Sequence, residues 1–263
     1  MIKLDNVSFS YQKKKDFIKD LSLEFNTGEI TTILGPNGSG KSTLLHMISN
    51  YLKPKSGSIY LNEINLGKLK QKEIAKYISC VYQENESPDD ITVRDLVSFG
   101  RSIHSNIKKI DKDENERMID FAISATKISD IAHKKVSNLS GGQRQRAFIA
   151  MSLAQNTEVL LLDEPTTYLD IYHQIEILEV VKTLNEKYNI TIIMVLHDLN
   201  QAINYSHNLV VMKDGELIKR GKSQEVIDEK IIKDVYGVSG YIHREKNDQI
   251  YFIPKKIANE NIC

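Results

Sequence analysis

The sequence of 263 residues carries only two cysteines, Cys80 and Cys263, no net charge and no long apolar run. Two thiols make neither a CxxC metal knuckle nor a disulfide scaffold. The chain therefore reads as a reduced, cytosolic, globular protein. Its 35 Lys and Arg balance 35 Asp and Glu. A protein that neutralises nucleic-acid phosphates is usually basic, so the charge weighs against nucleic acid as a partner. The longest apolar runs, residues 159–162 and 190–196, fall far short of the roughly 18 residues that span a bilayer. Residues 1–5 lack the apolar core of a signal peptide. There is no internal repeat or low-complexity tract, and the lysine run at 13–15 reads as a solvated loop. What remains, 41% hydrophobic and 27% charged, suits a folded chain able to bury a substantial core.

Ile2, Leu4, Val7 and Phe9 are spaced for a strand, and residues 21–25 alternate again. Asn26-Thr27-Gly28 signals a turn. The β-branched run 30–34 predicts a buried strand that leads into Gly35-Pro36-Asn37-Gly38-Ser39-Gly40-Lys41-Ser42-Thr43. Leu44, Leu45, Met47, Ile48 and Leu52 follow at helical spacing, with Pro54 as the stop. Further strands are predicted over 57–61, 78–82, 159–162 and 190–196, and helices over 147–154 and 175–184. A hairpin over 210–218 turns on Asp214-Gly215. From Thr92 to about Ser137 the pattern is helical and polar, opening on the capping box Thr92-Val93-Arg94-Asp95. This predicts a helical subdomain, at about 84–138, inserted in a single domain of residues 1–263 with a C-terminal tail from about 222.

Gly35-x-x-x-x-Gly40-Lys41-Ser42 matches the phosphate-binding loop GxxxxGK[ST]. Glycines are needed because backbone N–H groups must turn inward onto phosphate oxygens. Lys41 supplies a point charge at the β- and γ-phosphates, the Ser42 hydroxyl can ligate Mg²⁺, and the following helix points its positive end at the anion. Residues 159–163, Val-Leu-Leu-Leu-Asp, read as a strand buried on both faces that ends in a carboxylate. Asp163 there can hold the Mg²⁺ shell. Glu164 is then the candidate general base for a water, although alone it would read as a helix-start or surface carboxylate. Leu139-Ser140-Gly141-Gly142-Gln143 precedes an apolar helix expected to begin near Arg146. It offers a second anion-binding helix end, or, by itself, a flexible Ser-Gly loop.

Two phosphate-type sites in one domain resemble the nucleotide-binding subunits of ABC (ATP-binding cassette) transporters. In that family Leu139–Gln143 would be the signature pentapeptide, closing over the ATP held by the phosphate loop of a second subunit. The resemblance runs from about Ile2 to about Pro254. It implies an α/β fold: a RecA-like P-loop NTPase core, a mixed sheet with N-terminal antiparallel strands, and the helical insertion. It also implies that Tyr11 stacks on adenine, although a lone Tyr at a strand end is more often packing. Gln83 would touch Mg²⁺ and water, Asp170 in Tyr168-Leu169-Asp170 (the D-loop) would face the other subunit, and His197 would be the switch residue at the γ-phosphate. Tyr168 is bulky for its place. The remaining histidines, His173 among them, form no ligand spacing and read as structural or surface residues.

Residues 146–155, 163–174, 195–202 and 235–238 look like the importers of iron chelates: ferric siderophore, haem or cobalamin. No residue among them has chemistry that recognises iron. The expected function is thus the ATPase of a bacterial ferric-siderophore importer, with ATP and Mg²⁺ as cofactors. The expected partners are a second copy, membrane permease subunits and, indirectly, an extracytoplasmic substrate-binding protein, with no nucleic acid. The expected place is the cytoplasmic face of the membrane. Haem or cobalamin import is the alternative. An ABC ATPase acting on nucleic acid or the ribosome would usually carry two cassettes or a long coiled-coil insertion. A binding module without turnover would be expected to lack Glu164 or His197, and a small-molecule kinase would not need residues 139–143.

Overall fold

The computed structural model describes residues 1–11, 16–88, 90–104, 112–246 and 249–258. The lysine run at 13–15 and Cys263 lie outside the described residues. The chain divides into two compact units, Met1–Gly67 with Ile193–Cys263, and Lys68–Ile192.

The first unit opens with β1 (Ile2–Phe9), β2 (Ile18–Phe25), β3 (Ile30–Leu34), α1 (Lys41–Ile48), β4 (Ser56–Leu61) and β5 (Ile64–Asn65). An antiparallel sheet of order β2-β1-β4-β5 pairs Leu4 with Leu23 on one side of β1 and with Ile59 on the other. Alternation along β2 buries Leu21, Leu23 and Phe25, the period-2 pattern of a sheet with one wet face, and Ile18 is buried beyond a register shift. β3 is buried at all five positions, as a parallel strand covered on both faces must be. Helix α1 stops at Ile48, earlier than the expected stop at Pro54. Asn50 turns to a φ of 55° and Leu52 N–H reaches back to His46 C=O at 3.0 Å, so an Asn-led turn ends the helix before proline can.

The second unit holds α2 (Gln71–Ile74), β6 (Ile78–Val81), α3 (Val93–Phe99), α4 (Lys112–Ala125), α5 (Gly141–Ala154), β7 (Val159–Asp163) and α6 (Ile171–Tyr188). β6 and β7 run parallel, with Cys80 opposite Leu161. The capping box at Thr92 forms as the sequence suggests: the Thr92 hydroxyl accepts from Asp95 N–H, and the Asp95 carboxylate accepts from Thr92 N–H. Helix α6 begins four residues before the expected start, because the Asp170 carboxylate caps it by accepting from His173 N–H at 2.9 Å. The division between the units falls inside β8 (Thr191–Val195), which is buried along its whole length.

The first unit resumes with α7 (Leu199–Tyr205), β9 (Asn208–Lys213), β10 (Glu216–Lys222), α8 (Ser223–Val226), α9 (Glu229–Tyr236), β11 (Val238–Arg244) and β12 (Ile250–Ile257). β9 lies parallel to β3, Ile33 opposite Val210, and antiparallel to β10. Asp214 and Gly215 join β9 to β10 with φ of 51° and 82°, the two left-handed residues of the expected hairpin turn. In the tail, β11 and β12 pair with each other. The Asn200 side chain on α7 holds β12 as a neighbouring strand would: its oxygen accepts from Phe252 N–H at 2.8 Å and its amide donates to Phe252 C=O at 3.2 Å.

Candidate active site

The glycine loop lies where β3 ends and α1 begins. Gly35 has a φ of 152°, and a Cβ there would fall 2.2 Å from Met212 O and 2.5 Å from Ser39 Oγ. Only glycine fits that place. Gly40, the N-cap of α1, has a φ of 101°, so the chain enters the helix through a conformation closed to most side chains. The turn between β9 and β10 braces the loop from behind, Gly215 N–H donating to Ser39 C=O at 3.0 Å. Lys41 is buried, and its Nζ donates to Gly35 C=O at 3.0 Å and Pro36 C=O at 3.1 Å. An ammonium folded back on the loop's own carbonyls is set at the mouth of an anion cradle. Ser39 Oγ is buried without a hydrogen-bond partner, and Asn37 and Gly38 are exposed.

Tyr11 keeps 63% of its surface exposed. Its hydroxyl shares a hydrogen bond of 2.7 Å with Thr43 Oγ1, and Phe9 stands edge-on to its ring at 4.9 Å. The ring is thereby fixed to the first turn of α1 and still presents a face to solvent. His197, exposed, follows β8 by two residues. Tyr11, Gly35 to Thr43 and His197 all belong to the first unit.

Gln83, residues 139–143, Asp163, Glu164 and Asp170 belong to the second. Gln83 is exposed two residues after β6. Asp163 closes β7 and is buried. Glu164 has a φ of 51°, a left-handed conformation that is costly for a side-chain-bearing residue and typical of functional turns. Thr167 holds it from both ends: its N–H donates to Glu164 C=O and its hydroxyl to Glu164 Oε2, each at 3.2 Å. Tyr168 is also left-handed, φ 63°, and 89% exposed, so its bulk stands in solvent rather than crowding the turn.

Residues 139–143 form no loose loop. Helix α5 starts at Gly141, five residues before the expected start at Arg146. Ser140 is its N-cap: Ser140 Oγ accepts from Gln143 N–H at 3.3 Å, and Gln143 Oε1 accepts from Ser140 N–H at 3.1 Å. This reciprocal box fixes the helix end, so Gly141 and Gly142 lie within the first turn, where backbone N–H groups lack intrahelical partners. The structure sets this turn against Leu169 and His173. A Cβ on Gly141 would fall 3.0 Å from Leu169 Cδ2, and one on Gly142 would fall 2.7 Å from His173 Cγ. His173, which the sequence reading leaves as a structural or surface residue, packs against this turn. The available signal was its i,i+3 spacing to Glu176 just after the capping Asp170.

The family model described as "ABC transporter" matches residues 18–167 of this chain, more than half of it. The chain is 39% identical over 260 residues to the petrobactin import ATP-binding protein FpuC of Bacillus anthracis, covering 99% of this chain and 95% of the relative. It is 44% identical over 225 residues to the iron(3+)-hydroxamate import ATP-binding protein FhuC of Bacillus subtilis, covering 86% and 84%. Among solved structures, a dimeric post-hydrolysis state of an ATP-binding cassette bound to ADP and Pi superposes with a TM-score of 0.74 at 31% identity, covering 85% of this chain and 99% of that one. The glycine loop, the capped signature turn and these matches lead to one assignment: the chain belongs to the ABC transporter family.

Proposed function

We propose that this chain is the ATP-hydrolysing subunit of an importer that carries ferric siderophores across the cytoplasmic membrane. The phosphate loop carries the ATPase part of the reading. Gly35, Gly38 and Gly40 all have left-handed φ values and Lys41 is folded onto the loop, a cradle built for the phosphates of ATP. The substrate class rests on the relatives, two of which are named for petrobactin and iron(3+)-hydroxamate.

In this reading two copies join head to tail over two ATP molecules. Each copy's Pro36, Asn37, Gly38, Ser39, Gly40, Lys41 and Thr43 serve its own nucleotide, and its Leu139 to Gln143 close over the other's. Tyr11 offers its exposed ring face to adenine. Mg²⁺ takes hard oxygen ligands. Ser42, Gln83 and Asp163 offer hydroxyl, amide carbonyl and carboxylate oxygens, so the donor set fits the ion, which would draw charge from the phosphates. Glu164 takes a proton from water as the water oxygen bonds to the γ-phosphorus and the bond to the ADP oxygen breaks. His197 donates a hydrogen bond to the γ-phosphate, and Asp170 meets the facing copy.

No described helix is long and apolar enough to cross a membrane. In the proposed reading the transport path lies in separate permease subunits, on whose cytoplasmic face this chain docks, with an extracytoplasmic binding protein delivering the chelate. Among the described residues no group of three or more His, Cys, Asp or Glu could hold a metal ion.

The test is uptake. A strain lacking this gene should fail to take up at least one labelled ferric siderophore and should grow again on excess inorganic iron. The unaltered gene should restore uptake and the Glu164→Gln gene should not. Normal uptake of every ferric chelate, with loss of cobalamin or another solute, would retain the ATPase and overturn the iron assignment.

A further inference from the structure

The histidine set aside in the sequence lies at the junction of the two segments that the proposed function sends across the dimer. On α6, His173 and Glu176 are three residues apart. On α5, Gly142 and Arg146 are four apart. Both spacings put a pair on one helix face, and the two faces grip each other. The His173 ring fills the space a side chain on Gly142 would need, with Cγ, Nδ1 and Cβ all within 2.9 Å of the built Cβ. His173 Nδ1 shares a hydrogen bond with Glu176 Oε2 at 3.2 Å. Glu176 Oε1 pairs with the buried Arg146 guanidinium at 3.0 Å, and the same guanidinium nitrogen donates to Lys127 C=O at 3.0 Å. Gly142 is not among the residues with positive φ. Its lack of a side chain therefore answers to the imidazole above it rather than to backbone conformation.

We infer that His173 is a positioning residue: its ring, held by Glu176, which Arg146 holds in turn, fixes the first turn of α5 relative to the first turn of α6. Asp170, which caps α6 on His173 N–H, and Ser140, which caps α5, are then carried as one piece. This inference rests on the reading that residues 139–143 act on the nucleotide of the facing copy. Its consequence is that the N–H groups at the start of α5 cannot shift without moving Asp170. A displacement of about 1 Å at such a group can cost about a hundredfold in rate.

The experiment is a double-mutant cycle on the full chain, with ATP turnover, the melting temperature and ATP-driven dimerisation as readouts. His173→Ala should lower kcat about ten- to a hundredfold while KM for ATP stays within about twofold, because the phosphate loop belongs to the other unit. In the Glu164→Gln background it should weaken the ATP-driven dimer on a sizing column. Gly142→Ala alone should be severely impaired by collision with the imidazole. Added to His173→Ala, which removes Cγ and Nδ1 and leaves only the Cβ at 2.9 Å, it should cost less than it does alone. His173→Asn keeps a polar group for Glu176 and should recover part of kcat. It also serves as the measurable variant if alanine unfolds the chain.

Ser140→Arg separates the two ideas. If Ser140→Arg is inactive while His173→Ala turns over normally, or the Gly142 and His173 effects simply add, His173 holds nothing that matters and the inference falls while the proposed function stands. A kcat loss that vanishes on cooling in step with a lowered melting temperature likewise reduces His173 to a stability residue. If Ser140→Arg itself turns over normally, action across the dimer is wrong and the positioning role goes with it.

Discussion

Replacing Gly35 by alanine should damage the phosphate loop far more than replacing Gly38, although both are loop glycines with positive φ. At Gly35 two costs add. A φ of 152° is scarcely open to an L residue, a strain of about 1–3 kcal/mol. The new methyl also falls 2.2 Å from Met212 O and 2.5 Å from Ser39 Oγ. The serine hydroxyl can rotate away, but the carbonyl is main chain of β9 in a parallel ladder with β3 and cannot yield alone. Such overpacking adds about 1–3 kcal/mol. The sum, about 2–6 kcal/mol, corresponds to a fall of roughly 4–24 °C in melting temperature for a chain of this size. At Gly38, φ is 77° and nothing lies within 4 Å of the built Cβ, so only the left-handed penalty of about 1–2 kcal/mol remains, or roughly 2–8 °C. Thermal melts of the two variants without nucleotide, beside the unaltered chain, make the comparison. Nucleotide titration should then show Gly35→Ala binding ATP poorly, since the loop must shift to admit the methyl. Equal melting shifts, or a larger one at Gly38, would refute the claim that the contact with β9 shapes this loop.

Lys41→Ala should lose nucleotide binding or hydrolysis with the far-ultraviolet circular dichroism unchanged, because the loop has lost its cation while its glycine backbone remains; turnover at the unaltered rate in a clean preparation would contradict the loop assignment. Glu164→Gln should bind ATP, hydrolyse it about 10²–10⁴ times more slowly, and run as a dimer on a sizing column with ATP; a fully active monomer would show that the base lies elsewhere. Asp228, the N-cap of α9, has its carboxyl held below the usual carboxylate range by the Ile231 N–H. It should contribute stability above the unfolded carboxylate pKa of about 3.9, and lose that contribution as pH falls through the lower folded value. Asp228→Asn keeps the cap but cannot titrate, so the melting difference between the two chains should change only over that acid range; a constant difference would place the effect elsewhere.

What the sequence made legible was the chemistry held in short runs. The glycine loop between a strand and a helix, the apolar run ending in Asp163 and the hairpin at Asp214-Gly215 all rest on residues within a few positions of each other. Local periodicity and turn chemistry suffice for them. The helix starts were less legible, for two different reasons. At α6 the apolar spacing begins at Ile175, but the helix begins where a carboxylate can cap it, four residues earlier at Ile171 behind Asp170. Helix α5 begins at Gly141 although Gly141 and Gly142 argue against helix by propensity. The box between Ser140 and Gln143 repays part of that cost locally. The rest of the answer is not local. Gly142 is glycine because His173, 31 positions on, occupies its side-chain space, and no window along the chain contains both. A glycine forced by φ, such as Gly35 or Gly40, leaves a trace in the motif around it. One forced by a neighbour is visible only when the two helices are seen together, and the cycle pairing Gly142→Ala with His173→Ala tells the two kinds apart. Relief of the alanine cost by the second substitution is the signature of a contact, whereas a backbone requirement would leave that cost unchanged.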